Sequence, residues 1–306
     1  MISELNYFVK FVYNVFMFWK RRTYLDYAAG VSANPSSPHE EGRAAKEKLE
    51  EARTQIARLL EVQSDDVIFT GGATEANALA ILGHTRALRA RGAKNVQVLY
   101  LPSAHASIVE NAKLLSEEGV SVDALPIKDF RVDTDALAKM LTMDTALVSM
   151  DAVCGETGVV WNTLEVRRVL DAARSALGER ILLHIDASQA PRTEKMTRAH
   201  FGADMLTLDA SKVSTRRGIG ALIAHRTIPL TPLYKGGGQE RGLRSGSESP
   251  ELAADFADDL SAATRGREAF RAFAKKERAV LLARITAATP DVLVQEGRVP
   301  APHILN

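Results

Sequence analysis

Residues 181–212 read ILLHIDASQAPRTEKMTRAHFGADMLTLDASK. Two apolar runs, ILLHI and MLTL, each end in an aspartate, Asp186 and Asp209. Runs this short and continuous read as strands buried on both faces. An acid closing such a run is costly unless it meets a cation or hydrogen-bond donors. Lys212 follows the second acid, with Gly218 and Gly220 just ahead.

The same rhythm extends outward. DDVIFT reads as a strand, then Gly71-Gly72, then the helix ATEANALAILGHTRALRARG. NVQVLYL, VSVDALPI and TALVSMDAV read as further strands. ASIVENAKLLSEEG, DTDALAKMLT and NTLEVRRVLDAARSALG read as helices, the second capped by Asp133 or Thr134. GIGALIAH adds a strand after the Lys212 loop. Such alternation predicts an α/β fold, a mainly parallel sheet flanked by helices on both faces. Ligands in these folds bind at the carboxyl ends of the strands. Those ends carry Gly71-Gly72-Ala73-Thr74, His105, the DAVCGETG turn, Asp186 with Gln189, and Asp209 with Lys212.

Composition bounds the function classes. The chain has 306 residues, 46% hydrophobic and 25% charged, with a formal net charge of +1. No global field favours nucleic acid or anionic lipid. One cysteine, Cys154, forms neither an internal disulfide nor a cysteine-based zinc site, and a reducing cytoplasm is the expected setting. It reads as a buried structural thiol. His184 lies within a strand and reads as packed, while His39, His84, His200, His225 and His303 lack metal-ligand spacing, so no metal is expected.

Residues 1–22 stand apart. Seven of the chain's eighteen aromatics fall in this stretch, and the basic cluster Lys20-Arg21-Arg22 follows the apolar run, unlike a signal peptide. The run is short of the roughly 20 apolar residues that span a membrane. Asn6, Lys10 and Asn14 share one helical stripe. That leaves packing on protein, the favoured reading, or contact with a membrane surface.

The strand ends carry chemistry. Gly71-Gly72-Ala73-Thr74 opens a helix, so its backbone N–H groups and the Thr74 hydroxyl offer a phosphate cradle, or only a tight turn. Asp186 suits a protonated pyridine nitrogen, which makes the ring of pyridoxal phosphate an electron sink; the plainer reading is a helix cap or a salt-bridged acid. Lys212 is then the candidate Schiff-base lysine, its amine partly buried by the apolar strand, against a solvated lysine beside Arg216 and Arg217. His105 lies over the ring and relays protons, or is a polar tip satisfied by backbone.

At these residues the sequence resembles the cysteine desulfurases of the class V aminotransferase group. The resemblance rests on YLDYAAG, NPSSPHEEGRAAKEKLEEAR, VIFTGGATEANALAI, HASIVENA, GETGVV, HIDASQ, SKVSTRRGIGAL and GGGQERGLRSGSESP, in family order from Tyr24 to Glu251. It implies that Lys212 carries pyridoxal 5'-phosphate and that His105 stacks on its ring. Asp186 pairs with the ring nitrogen, and Gln189 bonds the ring hydroxyl oxygen. Ala73, Thr74 and Ser211 hold the phosphate, and Ser247 reaches the phosphate of the neighbouring subunit in a homodimer. The implied reaction takes sulfur from L-cysteine, leaves alanine, and passes a persulfide to a sulfur-acceptor scaffold protein for iron–sulfur cluster or thio-cofactor assembly. The implied domains are 23–250, the cofactor-binding large domain, and 251–306, the start of an incomplete small α+β domain that stops before the persulfide cysteine loop and the substrate-carboxylate arginine.

Four departures from the family pattern stand out. Ser211 replaces a histidine and Asp209 a serine, and an anion near a phosphate is unfavourable unless it points away or binds a backbone N–H. Gly155 replaces an asparagine, which predicts one lost contact to the ring edge. Ser214-Thr215-Arg216-Arg217 replaces a Gly-Pro turn. Because the persulfide cysteine loop and the substrate-carboxylate arginine are not among these residues, two alternatives stand beside the desulfurase reading: a class V transaminase or lyase without persulfide transfer, and a non-catalytic cofactor-binding dimer subunit.

Overall fold

The computed structural model describes residues 25–30, 32–178 and 180–306. The aromatic segment 1–22 and its reading lie outside the described residues. Two compact units are distinguished, Met1–Lys46 and Glu47–Asn306. In the first, the Asp26 carboxylate accepts from Ser37 Oγ (2.8 Å) and pairs with His39 Nε2 (3.0 Å). Helix α1 spans Glu40–Leu60.

The second unit is built on one seven-stranded sheet. Its strands are β1 (Val67–Thr70), β2 (Gln97–Tyr100), β3 (Ser121–Ala124), β6 (Thr145–Asp151), β7 (Leu182–Asp186), β8 (Met205–Asp209) and β9 (Gly220–Ala224). Their order is β1-β9-β8-β7-β6-β2-β3. The pairs from β8 through β3 are parallel, and β9 runs antiparallel to both its neighbours. The carboxyl ends of β1, β2, β6, β7 and β8 therefore share one edge of the sheet, where β9 begins.

Strand side chains alternate between two cores, as the period of two requires. Val67, Phe69, Leu183, Ile185, Leu206 and Ile223 enter a core with α1, α6 (Thr163–Leu177) and α8 (Pro250–Arg265). Ile68, Val98, Leu147, Met205 and Leu222 enter the other, with α2 (Ala73–Ala78), a π-helical turn (Leu79–Gly83) and α4 (Ala106–Glu117). Burial on both faces explains why these strands read as unbroken apolar runs. Phe256 of α8 and Ala301 near the chain's end are fully buried in the first core.

Two readings are refined. The helix after Gly72 is one run from Ala73 to Ala90, but it passes through the π-helical turn before α3 (His84–Ala90). The stretch VSVDALPI is not one strand. β3 stops at Ala124, Pro126 has no N–H to pair, and a hairpin follows, β4 (Ile127–Lys128) and β5 (Arg131–Val132), turning on Asp129 and Phe130 at positive φ. Asp133 accepts from the Asp135 and Ala136 N–H groups and so caps α5 (Thr134–Met140). The remaining helices are α7 (Arg198–Phe201) and α9 (Arg267–Ala288). Among the described residues no helix is long and apolar enough to cross a membrane.

Candidate active site

The shared edge of the sheet holds a cleft of about 120 Å³ lined by Ala73, Thr74, His105, Asp151, Val153, Gly155, Asp186, Ser188, Gln189, Asp209, Ser211 and Lys212. All the single-chain residues expected from the sequence meet here. Ser247 is not among them; it lies exposed in the segment before α8. A larger cavity, about 620 Å³, opens at the other ends of the strands, around His84, Asp144, Arg180 and His225. The smaller cleft is the candidate site, because it lies at the carboxyl ends of the parallel strands, where loops and helix N-termini come together.

The turn after β1 is set by two glycines. Gly72 has φ +144°, open to glycine but not to L side chains. A Cβ on Gly220 would stand 2.7 Å from the Gly72 carbonyl carbon and 2.7 Å from the Leu208 oxygen, so the backbones of β9 and the turn touch. This close approach sets the Ala73 N–H against the Asp209 carboxylate. Asp209 Oδ2 accepts from Ala73 N at 2.9 Å, and its Oδ1 accepts from Ser211 N at 2.7 Å. Asp209 thus binds backbone N–H groups, one of the two outcomes that make an anion tolerable there.

Lys212 ends a 3₁₀ turn (Ala210–Lys212) that leaves β8. Its side chain lines the cleft but is exposed. The expected partial burial is corrected: the turn lifts the lysine off the apolar strand, and Val213 is buried in its place.

A buried hydrogen-bond chain crosses the cleft floor. Ser188 N donates to Asp186 Oδ1 (2.9 Å). Asn77 Nδ2 donates to Asp186 Oδ2 (2.7 Å) and to Ser107 Oγ (2.8 Å). The Ser107 hydroxyl is then free to donate to His105 Nδ1, 2.8 Å away, which also accepts from Ser107 N at 3.2 Å. With Nδ1 accepting, a neutral imidazole carries its proton on Nε2. His105 therefore caps α4 and is linked through two side chains to Asp186.

Asp151 stands opposite Asp186 in the β6–β7 register. Burial, then the charge of Asp186, push its carboxyl up to about 8, so it holds a proton at neutral pH. Asp151 Oδ1, Asn77 Oδ1 and Ser188 Oγ are buried without a hydrogen-bond partner. At Gly155 a Cβ would stand 2.9 Å from Gln189 Nε2, so the glycine makes room for the Gln189 amide. The space that a side chain at position 155 would take is occupied by the Gln189 amide.

His184 is fully buried, bonded to Ser149 Oγ (2.8 Å) and Thr207 Oγ1 (3.0 Å), and burial drives its pKa down to about 3. Cys154 is buried, its Sγ 3.8 Å from the Ser103 carbonyl oxygen. The GGGQERG loop is anchored to α1 by a buried pair: Arg53 donates to both Glu240 carboxylate oxygens at 2.8 and 2.7 Å.

Sequence reasoning missed Asn77, Ser107, Ser188, Asp151 and Glu240. Asp151 carried the signal that marked Asp186, an acid closing an apolar strand. Asn77 and Ser107 carry only a faint signal, polar residues buried on their helices, which does not say that they meet.

The residues at the Asp186 end fit a pyridoxal ring: a buried acceptor for a ring N–H, orphaned polar atoms beside it, an amine and an imidazole at the rim. The Ala73–Ser211 end presents a carboxylate as well as donors.

The sequence pattern described as "Aminotransferase class-V" matches residues 21–251. Cysteine desulfurase IscS 1 of Archaeoglobus fulgidus is 35% identical over 251 residues, 81% of this chain and 63% of its own length. The mitochondrial cysteine desulfurase of Candida albicans is 32% identical over 76% of this chain and 47% of its own. The chain thus spans about half to five-eighths of these curated relatives. Among solved structures, DndA from Streptomyces lividans superposes with a TM-score of 0.78 at 29% identity, covering 91% of this chain and 76% of its own. SspA in complex with cysteine gives 0.68 at 28%, covering 75% and 64%.

Proposed function

Because the chain belongs to the class V aminotransferase family, we propose that it acts as a pyridoxal-phosphate-dependent cysteine desulfurase, with L-cysteine as substrate and alanine as product. The observation that carries this reading is one cleft holding Lys212, His105 and the buried Asp186–Asn77–Ser107 chain. When bound, the cofactor supplies an electron sink for charge developing at the substrate α-carbon. Lys212 provides the amine that attaches it, and its exposure leaves that amine accessible. Asp186, fixed by Asn77 and Ser188, accepts a ring N–H. Gln189, in the room left by Gly155, takes the ring hydroxyl oxygen. His105 holds its Nε2 proton at the cleft rim, where it exchanges with substrate. Ala73, Thr74 and Ser211 serve the phosphate end, and Ser247 serves the phosphate end of the partner in a homodimer.

In this reading residues 23–250 are the cofactor-binding domain and 251–306 begin the small domain. Cys154 is buried, so the sulfur goes to a thiol outside these 306 residues, on a scaffold partner or a further segment. The same burial favours a second reading, transamination or lyase chemistry without persulfide transfer.

Product analysis separates them. The full chain, loaded with cofactor and given L-cysteine with dithiothreitol as acceptor and reductant, is expected to release alanine and sulfide in equal amounts, the dithiol being oxidised to its disulfide. Pyruvate with ammonia, or mercaptopyruvate, in place of alanine contradicts desulfuration.

A further inference from the structure

We propose that Asp209 is a built-in occupant of the phosphate cradle, so that the cleft discriminates against the phosphate ester of pyridoxal relative to the unphosphorylated aldehyde. This rests on the cofactor reading above. Each backbone N–H has one proton to donate. The Ala73 N–H, at the start of the helical run to Ala90, is donated to Asp209 Oδ2, and the Ser211 N–H to Oδ1. Two of the donors that a phosphate would draw on, the backbone N–H groups of Ala73 and Ser211, are therefore already spent on a carboxylate, which leaves the Thr74 hydroxyl of the cradle. The carboxylate is also fixed against the turn: a Cβ on Gly72 would lie 3.4 Å from Oδ2, and Gly72 is itself pressed by Gly220. The phosphate ester must displace this anion or sit beside it. Either route costs affinity that the aldehyde alone does not lose, since like charges near a protein surface repel strongly at contact distance.

The test compares the wild-type chain with Asp209→Asn and Asp209→Ser, each checked for an unchanged fold by circular dichroism. Asn removes the charge and keeps one acceptor; Ser removes both carboxylate oxygens. Binding of pyridoxal phosphate and of pyridoxal is followed by visible absorbance, and binding of inorganic phosphate by calorimetry. Both variants are expected to bind pyridoxal phosphate at least about tenfold tighter than wild type, with pyridoxal affinity held within about twofold and inorganic phosphate affinity raised in parallel. Equal or weaker binding of pyridoxal phosphate and inorganic phosphate by both variants overturns the proposal and leaves Asp209 a structural cap. If neither aldehyde attaches to any form, the cofactor reading fails separately. Inorganic phosphate then decides: a gain in the variants supports an Asp209-occupied cradle, and no gain refutes it.

Discussion

Asp151 and Asp186 close adjacent parallel strands, and only one of them has its oxygens hydrogen-bonded. Asp151 holds a proton in the folded chain that the unfolded chain releases above about pH 4. Its raised pKa means the folded state binds more protons, so stability falls as pH rises from about 4 to about 8 and levels off beyond. Asp151→Asn keeps the shape and removes this slope. Its advantage over wild type is expected to be small near pH 4 and to reach roughly 2–5 kcal/mol at pH 8, read from denaturant unfolding at both pH values. Parallel stability curves would contradict a buried, protonated Asp151. Asp186 was legible from the sequence because an acid after ILLHI needs a partner. The partners were not, because Asn77 and Ser107 reach the cleft from different helices, and residue spacing does not show which helices meet.

At the scale of elements, the turn between β1 and α2 depends on backbone contact with the first residue of β9. Gly220→Ala would force a methyl into the Gly72 backbone at 2.7–2.8 Å. The expected cost is about 1–3 kcal/mol of stability, with weakened pyridoxal binding because the Ala73 end of the cleft shifts. Wild-type stability and binding in that variant would show that the contact is slack. The strands were legible because burial on both faces leaves long apolar runs, and α5 because of its aspartate cap. The antiparallel sense of β9 was not legible: GIGALIAH fits either direction, and the short return from Asp209 to Gly220, with no crossover helix, decides it. The π-helical turn escaped because its residues, Leu79–Gly83, are wholly buried and keep the helical pattern. The β4–β5 hairpin escaped because non-glycine residues, Asp129 and Phe130, take its positive-φ positions.

At the scale of the molecule, the sheet gathers the carboxyl ends of β1, β2, β6, β7 and β8 along one edge, and everything proposed for this chain follows from that edge. Chain order predicted the gathering; it did not predict that Lys212 stands exposed or that Asp209 fills the backbone donors. The central claim is that Lys212 carries the cofactor. The most direct measurement incubates the full chain with pyridoxal phosphate, reduces it with borohydride and maps the labelled peptide by mass spectrometry, in wild type and in Lys212→Ala. The account predicts the label on the peptide containing Lys212 and its loss in the variant. Label on another lysine, or labelling unchanged by Lys212→Ala, would contradict it.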